Sequence, residues 1–102
     1  MNFKQYLYTK IAEEAAELAQ AAAKAQLWGE DSTDPRETTG ETNLTKLTKE
    51  FIDLHVAITF LDTVLTDEGR MLNDWFEPNE YAAKKKTAIM QNWNIVKELA
   101  NG

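Results

Sequence analysis

All four glycines and both prolines fall in three places: Gly29, Pro35 and Gly40; Gly69 and Pro78; and Gly102. Glycine and proline are the residues that most disfavour a helix interior. The long stretches between these breaks are rich in Ala, Leu, Glu, Lys and Gln, all good helix formers. The spacing predicts helices over about 3–28, 44–66 and 78–100. Asn2 with Gln5 three residues on has the form of a capping box, and Gly29 suits the far end of the first helix. Asn43 is the expected N-cap of the second helix, and Pro78 suits the first turn of the third. Residues 70–76 have room for a short extra helix. No segment alternates as a strand does, so the expected fold is all-α: three long helices plus a short one.

The chain has 102 residues, enough for a single domain spanning 1–102. Residues 29–43 form a polar loop with no apolar periodicity, longer than most connections in a small domain. Several acids in it suggest a calcium loop. Counting from Asp31, however, the fifth and sixth positions are Pro35 and Arg36, where an EF-hand needs an oxygen donor and a glycine.

Charge narrows the partners. Seventeen acidic against eleven basic residues give a net charge of −6, which disfavours nucleic-acid polymers and anionic membranes. No apolar run approaches the roughly 20 residues of a membrane span, and residues 1–10 lack the apolar stretch of a signal peptide. A cytoplasmic protein is expected. With no cysteine, disulfides, thiolate zinc sites and thiol nucleophiles are excluded. The single histidine, His55, excludes most histidine metal sites and a Ser-His-Asp triad.

Acids occur where a core should be. On the first helix Leu7, Ile11 and Leu18 lie within about 60° of Glu14 at 100° per residue, and Glu17 follows at i+3. On the second, Leu47, Leu54, Ala57 and Leu61 surround Glu50. Asp53 follows at i+3, flanked by Ala57, Phe60 and Val64. Carboxylates on apolar faces need basic partners or bound cations. Lys10, Lys24, Lys46 and Lys49 are candidate partners. Oxygen donors without His or Cys select hard cations, magnesium or manganese, and no Glu-x-x-His pair supports a di-iron site.

Glu13-Glu14-Ala15-Ala16-Glu17 followed by Glu50-Phe51-Ile52-Asp53 resembles the EExxE…ExxD signature of the MazG-like, all-α nucleoside triphosphate pyrophosphohydrolases. The resemblance covers about residues 7–65, and small single-module members of that family are common in bacteriophages. It implies an enzyme that uses Mg2+ to cleave a nucleoside triphosphate between the α- and β-phosphates. Glu14, Glu17, Glu50 and Asp53 would be metal ligands. Glu13 would hold a further metal or orient the attacking water. Thirty-two residues separate Glu17 from Glu50, more than the family pattern leads one to expect, and the excess falls in the 29–43 loop.

Three residues are candidates for substrate contact. Lys24, two turns beyond Glu17, reaches the same face. Trp28 stands beside the loop, where it would stack on a base or seal the helix end. Lys85, in the run Lys84-Lys85-Lys86, shares a face with Tyr81 and Ile89. The second helix is apolar around most of its circumference, so a second copy of the chain is expected to cover part of it, as a homodimer or a tetramer. Two other functions compete: a relative of phosphoribosyl-ATP pyrophosphohydrolase, and a helical dimerisation or regulatory module without catalysis.

Overall fold

The computed structural model describes residues 1–33, 36, 40–70 and 80–101. Among these residues three helices occur in the order α1 (Phe3–Trp28), α2 (Asn43–Asp67) and α3 (Glu80–Asn101), and there is no strand. The all-α expectation is met. Contacts divide the chain into two compact units, Met1–Met71 and Leu72–Gly102.

The first unit is an α1–α2 hairpin. Asn2 caps α1 through a complete capping box. Its side chain accepts from the Gln5 N–H at 2.8 Å, and Gln5 accepts from the Asn2 N–H at 2.9 Å. The helix ends at Gly29, whose φ of 93° is a left-handed value that glycine tolerates and other residues do not. The N-cap of α2 is Thr42 rather than the expected Asn43: the Thr42 hydroxyl accepts from the Thr45 N–H at 3.2 Å. The Asn43 side chain has another task, donating through Nδ2 to the Gly29 carbonyl at 2.9 Å. With Asn43 N–H to Ser32 O and Leu44 N–H to Glu30 O, that bond closes the loop end of the hairpin. Lys4 and Glu68 close the open end at 2.6 Å. Pairing the start of α1 with the end of α2 makes the helices antiparallel.

The dry seam is thin. Among the described residues, Leu7, Ala21, Ala57, Leu61 and Leu65 are the buried apolar ones and Asn43 the buried polar one. Phe51, Ile52 and Phe60 of α2 stay more than half exposed. The second unit contains α3, whose Tyr81, Lys85, Ile89 and Trp93 are all exposed. The expected short helix lies almost entirely outside the described residues, as do Trp75 and Pro78; Arg70 is not helical. Within the 29–43 loop, residues 34, 35 and 37–39 also lie outside them. No described helix is long and apolar enough to cross a membrane.

Candidate metal centre

Halfway along the hairpin seam, α1 and α2 bring acids together. Carboxylate oxygens of Glu14, Glu50 and Asp53 lie within 4.8 Å of one another. Glu14 and Glu50 are half-buried and Asp53 is exposed. The helical period accounts for this. Glu14 shares its face with Leu7, which enters the seam, and Glu50 and Asp53 lie two turns and one turn before Ala57 on the buried stripe of α2.

The cluster is electrostatically uncomfortable. Burial first, and then the negative charges of Glu17 and Asp53, push the Glu14 carboxyl above its ordinary value, while Lys10 opposes them. Lys10 Nζ stands 3.7 Å from Glu14 and 3.3 Å from Glu13. One oxygen of Glu14 and one of Glu50 are buried without a hydrogen-bond partner. Native structures rarely leave such atoms unanswered. Three convergent carboxylates, two of them with an orphaned oxygen, could hold a hard divalent cation, which takes oxygen ligands and offsets the accumulated charge.

Of the four expected metal ligands, Glu14, Glu50 and Asp53 therefore converge. Glu17 is near enough for its charge to act on Glu14 but stands outside the three-way set. Glu13 is exposed and ion-paired with Lys10. His55 stacks on Phe51 with ring centroids 6.1 Å apart.

Two clefts flank the acids. One, about 460 Å3, is lined by Glu17, Lys24 and Glu50 together with Gln20, Ala21, Glu41, Asn43, Lys46 and Lys49. Lys24 is thus brought to the acids as its spacing suggested. The other is apolar and places Phe3, Tyr6, Val56 and Phe60 beside Glu14 and Asp53. Trp28 is half-buried, with the Arg36 guanidinium 5.2 Å from the centre of its ring, a cation–π contact. Lys85 belongs to the second unit.

Asn43, in the lining of the first cleft, is what a search for acids overlooks. Lys46 and Lys49 entered as partners for the carboxylates; Lys49 instead pairs with Glu41 at 2.9 Å. Their spacing carried a signal, since Asn43 and Lys46 precede Glu50 by two turns and one turn on a single stripe. Comparison with known proteins found no matching family model, no matching curated protein and no matching solved structure.

Proposed function

We propose that the chain is a magnesium-dependent nucleotide pyrophosphohydrolase of the MazG-like kind, which cleaves a nucleoside triphosphate to the monophosphate and pyrophosphate. The observation that carries this reading is the meeting of Glu14, Glu50 and Asp53 from two helices beside a lysine-lined cleft. Acids alone repel a triphosphate, and lysines alone do not promote its hydrolysis. Glu14, Glu50 and Asp53 hold the metal, with Glu17 completing the set from the cleft side. Bound magnesium supplies charge neutralisation and Lewis acidity at the phosphoryl group. The lysines hold the phosphate chain, and the apolar wall of Phe3, Tyr6, Val56 and Phe60 limits water around the carboxylates. Glu13, held by Lys10, takes no step in this scheme. The working form is a homodimer, and free nucleotides with magnesium place its activity in the cytoplasm.

The test is pyrophosphate release from a panel of ordinary and modified nucleoside triphosphates in magnesium, with Glu50→Gln and Asp53→Asn as controls. The expected result is turnover of at least one triphosphate and a loss of 100-fold or more in both variants, on the order of what removing a principal electrostatic contributor costs. No turnover across the panel, or undiminished turnover in both variants, rejects the enzyme and leaves a helical dimerisation module.

A further inference from the structure

Two stripes face each other across the polar cleft. On α2, Asn43, Lys46 and Glu50 follow at i, i+3 and i+7, within about 60° of one another. On α1, Glu17, Ala21 and Lys24 run the opposite way, and all six line the cleft.

Asn43 is the unusual member. It is 1% exposed, and its Nδ2 donates to the Gly29 carbonyl. That bond fixes the amide, because flipping it would set one oxygen against another. The remaining polar atom, Oδ1, is a buried acceptor with no hydrogen-bond partner, a condition folded proteins seldom leave unmet. A phosphate dianion cannot satisfy it, having no hydrogen to donate. An acceptor beside lysines calls for a molecule that carries both negative charge and an N–H or O–H group. The order along α2 is acceptor, cation, carboxylate. A nucleoside phosphate presents donor, phosphate and metal-bridged phosphate in that same order. Seven residues from Asn43 to Glu50 span about 10 Å of helix, room for such a molecule laid lengthwise.

We infer that the cleft from Asn43 to Glu50 is the nucleoside pocket, in which Asn43 Oδ1 accepts a hydrogen bond from a base N–H or a sugar hydroxyl. Lys24 and Lys46 meet the adjoining phosphate. This rests on the nucleotide reading above and deepens it, making Asn43 a specificity-determining residue. It also moves the base away from Trp28, whose ring already carries Arg36.

Equilibrium binding tests this without turnover. The probes are non-hydrolysable α,β-methylene triphosphates, titrated calorimetrically in magnesium in pairs that differ by one donor. The base pairs are adenine against purine, guanine against hypoxanthine, cytosine against 2-pyrimidinone, and thymine against its N3-methyl derivative. The sugar pairs are with and without the 2′- or 3′-hydroxyl. The wild-type chain is expected to favour the donor-bearing member of at least one pair by roughly tenfold or more, the usual effect of an unpaired buried acceptor. Asn43→Ala should level that pair, and Asn43→Asp, which keeps an acceptor, should retain the preference. Disturbing the loop alone would weaken both members equally and leave their ratio intact. Equal affinities in every wild-type pair, a preference that survives in Asn43→Ala, or no binding of any probe overturns the inference. Asn43-dependent binding without hydrolysis of natural triphosphates removes the hydrolase but not the pocket. Hydrolysis with no donor preference removes the pocket but not the hydrolase.

Discussion

Glu14 is where burial and charge most directly oppose each other. Its carboxyl is raised above the ordinary value of 4.5, chiefly by burial and then by Glu17 and Asp53. A raised acid favours folding while it is protonated. The stability it contributes is complete below 4.5 and is lost as pH rises through the folded-state value. At neutral pH, without metal, the Glu14 carboxyl therefore opposes folding. Glu14→Gln should raise the metal-free Tm at neutral pH and leave it little changed below 4.5. The same variant should lose most of the Tm increase that magnesium gives the wild-type protein, since a ligand of the folded state stabilises by mass action. Thermal melts in magnesium and in chelator, at both pH values, check both signs. A lower metal-free Tm at neutral pH, or an undiminished magnesium response, would count against the site. The meeting of Glu14 with Glu50 and Asp53 was legible in the sequence, because helical periodicity fixes which face a side chain shares. The position of Glu17 outside the three-way set was not. Periodicity gives the face of one helix, while the height at which two helices are paired comes from contacts far apart in sequence, such as Lys4 with Glu68 and Asn43 with Gly29.

At the scale of the helices, the two ends of the hairpin are fastened by different physics. The loop end is held by hydrogen bonds from Asn43 and Leu44 to Gly29, Ser32 and Glu30, which pH does not touch. The open end is held by Lys4 and Glu68, and the hydrogen bond from Lys4 draws the Glu68 carboxyl below its ordinary value. The sign is opposite to that of Glu14. Stability from Glu68 is present above 4.5 and is lost as pH falls through the lowered folded-state value. Lys4→Met should therefore cost stability at neutral pH and nothing in strong acid, and high salt should shrink the difference because both side chains are partly exposed. Urea midpoints at the two pH values, with and without salt, read this directly; an equal loss at both would mean that Lys4 acts through its aliphatic stem. The start of α1 was readable to the residue, since a capping box is local chemistry. The start of α2 was not. Thr42 and Asn43 are both good caps, and the choice between them is settled by Gly29, fourteen positions back, which takes the Asn43 amide.

For the whole molecule, the apolar surface left on the hairpin decides how the chain can exist. A helix packed against one neighbour buries one stripe. On α2 that stripe is Ala57, Leu61 and Leu65, while Ile52, Val56 and Phe60, which share one flank, are 51%, 48% and 54% exposed. Phe3 and Tyr6 of α1 extend this apolar surface past Glu14 and Asp53. Scattered apolar side chains are ordinary on a surface, but a contiguous aromatic patch of this kind marks a contact surface. The composition of α2 made that surplus visible from the start; which residues carry it depended on the hairpin seam. A second copy paired across this patch would answer the surplus, as the proposed homodimer requires. Light scattering should therefore give twice the 11.6 kDa chain mass, or four times if the pairs associate further. Phe60→Glu should shift the protein toward a single chain and reduce its helicity. A fully helical monomer at every concentration would remove the dimer. The patch borders the carboxylates, so covering it also takes water away from them and strengthens their hold on a cation. Magnesium should then bind Phe60→Glu several-fold more weakly than wild type, although Phe60 contributes no ligand atom. Unchanged magnesium affinity in a monomeric Phe60→Glu protein would show that each hairpin builds its metal site alone.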